Sequence, residues 1–73
     1  MPRKIRELKA DLRRAGAAEV SHEGSYAKWK HPLVPDLEVV LAGNDGADAK
    51  LYQERQVRTL LQRIAEAKRR LSQ

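Results

Sequence analysis

Apolar residues return at helical spacing near both ends of this chain and alternate at strand spacing between them. Ile5, Leu8, Leu12 and Ala15 fall on one side of a helix predicted over residues 2–15. Arg3, Lys4, Arg6, Glu7, Lys9, Asp11, Arg13 and Arg14 cover its other side. Gly16 follows, where a helix end accepts a residue that tolerates positive φ. Arg13 and Arg14 stand in the last turn, where the helix dipole favours cations.

Ala17 to His22 alternates weakly and predicts a short strand, with Ala18, Val20 and His22 on one face and Glu19 and Ser21 on the other. Glu23-Gly24 predicts a two-residue turn. Ser25 to His31 then predicts a second strand. A turn at Glu23-Gly24 pairs Ser21 with Tyr26, Val20 with Ala27, Glu19 with Lys28 and Ala18 with Trp29. That register gathers Ala18, Val20, Ala27 and Trp29 on an apolar face and Glu19, Ser21, Tyr26, Lys28 and Lys30 on a polar one. Glu19 opposite Lys28 forms a cross-strand charge pair in this register.

Two prolines, Pro32 and Pro35, predict a loop over residues 31–36. Leu37 to Ala42 predicts a third strand, with Leu37, Val39 and Leu41 inward and Glu38 and Val40 outward. Gly43-Asn44-Asp45-Gly46 is a turn signal. Residues 47–52 fit either a capped helix start or a connector. From about Gln53 the helical period is clear, with Val57, Leu60, Leu61, Ile64, Ala67 and Leu71 in the apolar stripe. Arg69 and Arg70 read as a solvated helix end.

The fold class is therefore α+β, in the order α-β-β-β-α. A three-stranded antiparallel meander with one apolar face carries both amphipathic helices on that face and leaves the other open. Trp29, alternating with Ala27, belongs to the core side. Tyr26, Lys28 and Lys30 belong to the open side.

Composition narrows the function classes. The chain has 73 residues, enough for a single domain spanning 1–73 but not for a large catalytic cleft. It has no cysteine, which excludes a disulfide scaffold and thiolate metal sites. No apolar run approaches the roughly 20 residues a membrane span needs, and no secretory leader is evident, so a soluble, cytoplasmic protein is expected. Lysine and arginine number 15 against 10 acids, a formal charge of +5 that favours a polyanionic partner. Two lysines beside an exposed aromatic suit backbone phosphates and a stacked base. Asp45 and Asp48 lack histidine or cysteine neighbours at ligand spacing, so they read as turn and capping residues, and no metal or small-molecule cofactor is expected.

Three stretches together resemble the HicA family of small bacterial toxins. "ELKADLRRAGAAEV" is similar to that family's opening helix and its glycine boundary. "EGSYAKWKHPLVP" resembles its hairpin motif, in which Gly-Ser-His is followed three residues after the histidine by an aromatic and then by His-Pro. Gly43 to Glu54, with its "GNDGADA" and "YQE", resembles the segment that leads into the second helix in some branches, and "YQERQVRTLLQRI" resembles that helix itself. The resemblance covers nearly the whole chain. It implies a fold like a double-stranded-RNA-binding domain, metal-independent endoribonuclease action on mRNA, and a HicB-type antitoxin as partner. Gly24 and Ser25 match the motif's turn, Trp29 its core aromatic, and His31-Pro32 its closing pair. Gly24 and Ser25 of that motif, together with Lys28 and Lys30 of the open face, are the expected RNA contacts, and the resemblance places the catalytic position at Tyr26.

At that position the family has histidine. Histidine suits 2′-hydroxyl activation because its ordinary pKa, about 6.5, lets it take and give protons near neutrality. A tyrosine hydroxyl, with an ordinary pKa of about 10, stays protonated at pH 7 and serves as a hydrogen-bond donor instead. Tyr26 is compatible with an inactivated toxin, with a relative that binds RNA without cutting it, or with weak cleavage supported by hydrogen bonding. His22 projects away from Tyr26 in the predicted register and His31 lies on the Trp29 side, so neither is placed as a ready substitute.

Overall fold

The first helix is set by contacts from a distant loop as much as by its own sequence. The computed structural model describes residues 3–72. Helix α1 spans Ile5–Arg14; Pro2, the predicted start, lies outside the described residues. The Glu7 carboxylate accepts from the Lys4 amide at 2.8 Å. The next two amides, of Ile5 and Arg6, donate to the carbonyls of Ala47 and Asp45, each at 3.0 Å. Orphan donors of the first helical turn are thus satisfied. Gly16 follows the helix with φ of 93°, as the sequence suggested.

The ambiguous stretch before the second helix is the connector that makes those contacts. Helix α2 spans Leu51–Leu71. Its third residue, Gln53, is buried and bonded through both amide atoms: its Oε1 accepts from the Lys50 amide at 2.8 Å, and its Nε2 donates to the Ala42 carbonyl at 3.1 Å. This pins the start of α2 to the end of the sheet.

Strands β1 (Ala18–Glu23), β2 (Tyr26–His31) and β3 (Val34–Ala42) form an antiparallel sheet in chain order. The order α-β-β-β-α and the α+β class are as the pattern predicted. The hairpin register differs. The turn is Gly24-Ser25, and Glu23 pairs with Tyr26, His22 with Ala27 and Ser21 with Lys28. Gly24 has φ of 57° and no non-glycine residue among those described has positive φ, the pattern of a turn with glycine at its first central position. An irregularity between Glu19 and Ser21 then leaves Glu19 opposite Trp29 and Ala18 opposite Lys30. A bulge re-aims the residues beyond it. Val20 is accordingly 54% exposed rather than inward, and Glu19 leaves the polar face. The predicted Glu19–Lys28 pair does not form; Glu19 instead meets His22 Nδ1 at 2.8 Å.

The predicted loop over 31–36 shrinks to a turn at Pro32 and Leu33, and β3 begins at Val34. Trp29 pairs with Val39 and His31 with Val34, so β3 accommodates several extra residues between these pairs. Pro35 falls in that irregular stretch of an edge strand, where a missing amide donor costs no ladder bond.

One buried cluster joins the layers. Ile5, Leu8 and Leu12 of α1 and Val57, Leu60 and Ile64 of α2 pack with Ala27, Trp29, Val34, Val39 and Leu41. All five strand residues share one face, so both helices cover that face. Leu37 and Leu61 pack against the cluster's edge. Leu71, expected in the stripe, is 71% exposed because α2 outruns the core.

Candidate nucleic-acid interface

The face not covered by helices is built by strand alternation. In β2, Ala27, Trp29 and His31 are buried, which turns Tyr26 and Lys28 outward. Tyr26 is 57% exposed. Ser21 and Glu23 of β1 and Val40 of β3 pair beside them and project to the same side. Ser21, Glu23, Tyr26, Lys28 and Val40 line one shallow hollow of ≈ 120 Å³. Gly24 and Ser25 form the turn at its end, and the Ser25 carbonyl accepts from the Gly43 amide at 3.2 Å.

Of the five residues singled out from sequence, Tyr26 and Lys28 therefore meet in the hollow, and Gly24 and Ser25 border it. Lys30 does not. It is half-buried and lines a separate apolar hollow of ≈ 290 Å³ with Ala18, Val20, His31, Pro32 and Pro35. Ser21 and Val40 stand where alternation put them. The turn predicted at Glu23-Gly24 excludes Glu23 from the strand, whereas in the structure it pairs with Tyr26 and lines the hollow. The missed signal was Gly24-Ser25 as the turn pair, which makes Glu23 the last strand residue.

Both histidines have structural partners elsewhere. The His31 Nδ1 accepts from the Leu33 amide at 3.0 Å, bracing the tight turn after β2. A Cβ at Gly16 would lie 3.1 Å from its Nε2, so this glycine lets the α1–β1 corner close over the ring. His22 lies on the Ala27 side of the sheet, with Nδ1 against Glu19 and Nε2 2.8 Å from the Gly24 carbonyl. Neither ring reaches the Tyr26 side.

Trp29 is core, 2% exposed, and the Arg13 guanidinium lies 5.4 Å from its ring centroid. A cation at that distance over an indole face is within attractive range. Arg3 binds the Asp11 carboxylate at 2.6 Å and Arg14 binds it too. The Arg3 hydrogen bond holds Asp11 below the ordinary carboxylate range; burial opposes it less strongly, and the Arg14 hydrogen bond adds to the lowering. Lys9 binds Asp45 at 2.8 Å and holds its carboxyl low as well, and Lys4 binds Asp48 at 2.5 Å. These aspartates fasten the 44–50 connector to α1. Among the described residues no cluster of three or more potential metal ligands occurs. No helix among them is long and apolar enough to cross a membrane.

The fold and this face define a small α+β protein with an open, cation-bearing sheet. No protein-family model, curated protein or solved structure matches the chain.

Proposed function

We propose that this protein is a HicA-like toxin that binds mRNA on its open sheet face and cleaves it by metal-independent chemistry. Its cleavage is weakened because Tyr26 stands where the family has histidine. The observation that carries this reading is the meeting of Tyr26 and Lys28 in one exposed hollow, on an α-β-β-β-α scaffold. A tyrosine ring offers a stacking surface worth about 1–3 kcal/mol per base, and a lysine beside it suits the adjoining phosphate. The partner is a HicB-type antitoxin that covers this face and so blocks RNA, and the compartment is the cytoplasm. The exchange of histidine for tyrosine specifically favours a second reading, a non-catalytic RNA-binding module.

Both readings require electrostatic RNA binding at Lys28. Affinity for a labelled single-stranded RNA is expected to fall steeply with salt, by a log–log slope of about −0.7 per phosphate contact. Lys28→Gln is expected to flatten that slope by about one contact, and Lys30→Gln by less. Salt-insensitive binding, or a slope unchanged by Lys28→Gln, would place the partner elsewhere, such as on an acidic protein.

A further inference from the structure

We infer that Glu23 is the proton acceptor of the open-face hollow, working opposite Tyr26 as proton donor. This rests on the RNA reading above and assigns the acid–base pair within it. Glu23 ends β1 as the direct cross-strand partner of Tyr26, across the Gly24-Ser25 turn. Such partners hold their Cβ atoms about 4.5–5.5 Å apart, and the diagonal neighbour, here Lys28, lies about 7–8 Å away. All three line the same hollow.

The other acids of the molecule are mostly committed. Asp11, Asp36, Asp45 and Asp48 each bind a lysine or arginine, Glu19 binds His22, and Glu7 caps α1. The Glu23 carboxylate has no ion pair or hydrogen bond among the described residues, although it shares the hollow with Lys28. A surface that only gripped phosphates would gain nothing from a carboxylate there, because like charges repel. A carboxylate within reach of a ribose does supply what the tyrosine hydroxyl lacks, a proton acceptor at neutral pH.

The step balances. Glu23 takes the proton of the 2′-hydroxyl, whose oxygen forms a bond to the adjacent phosphorus. The bond from phosphorus to the 5′-oxygen breaks, and that oxygen takes the Tyr26 phenolic proton. Lys28 faces the phosphate's non-bridging oxygens. The products are a 2′,3′-cyclic phosphate and a 5′-hydroxyl, and solvent then moves a proton from Glu23 back to Tyr26.

The test compares wild type, Glu23→Gln and Glu23→Asp on a single-stranded RNA, with its 2′-O-methyl counterpart as control. Binding and cleavage are measured separately. Wild type is expected to bind and slowly cut the RNA, leaving cyclic-phosphate ends, and to leave the 2′-O-methyl strand intact. Glu23→Gln is expected to bind as tightly or more tightly yet cleave about 10²–10⁴-fold more slowly, with Glu23→Asp between. Equal cleavage by Glu23→Gln would overturn the assignment. RNA bound but left uncut by wild type would overturn it while leaving RNA binding intact. Failure of wild type to bind RNA would overturn both.

Discussion

The two aromatic residues of β2 carry opposite burdens. Trp29 is buried among the core residues of both helices, whereas Tyr26 stands exposed on the other face. Trp29→Ala is expected to cost about 3–5 kcal/mol of unfolding free energy, as large-to-small core changes do. Tyr26→Ala is expected to stay within about 0.5 kcal/mol, as surface changes do. Urea midpoints of the two variants check this, and a Tyr26→Ala loss as large as that of Trp29→Ala would mean that the tyrosine is structural. This division was legible in the sequence, because strand alternation needs only parity and parity survives a register shift of two. The partners of His31 and Gln53 were not legible. Their bonds run to backbone groups of a turn and of another strand, which spacing along the chain does not reveal.

Among the elements, the hairpin shows where sequence reasoning ran short. Placing the turn one residue early, at Glu23-Gly24, still put Ser21, Tyr26 and Lys28 on one face. It misplaced Glu19, because the bulge before Ser21 flips everything upstream. Nothing in a weakly apolar strand such as Ala18–Glu23 announces a bulge. Helix α1 depends on its fastening to the 44–50 connector and on the Arg3–Asp11–Arg14 cluster. Because Asp11 is held below its ordinary value of 3.8, its ion pairs contribute in full above that value. The contribution is lost as pH falls through the lowered folded-state value. With Arg3 and Arg14 substantially exposed, it amounts to about 1 kcal/mol or less. Asp11→Asn is therefore expected to lower the urea midpoint at neutral pH and to blunt its decline in acid. An acid response identical to that of wild type would show that Asp11 contributes nothing to it.

For the molecule as a whole, the two helices close one face of the sheet and leave the other to the solvent, with a cation, an aromatic and a carboxylate in one hollow. The overall architecture followed from two amphipathic stripes around an alternating middle. The site was half legible: Tyr26 and Lys28 came from alternation, while Glu23 depended on where the turn falls. On the function proposed above, this face is a toxin's RNA-cleaving surface altered at one position, and the rate at which wild type and Tyr26→His cut the same RNA at neutral pH tests that proposal most directly. Tyr26→His is expected to cleave faster, by up to about 10²–10⁴-fold, with affinity little changed. Equal rates for the two forms would contradict the proposal.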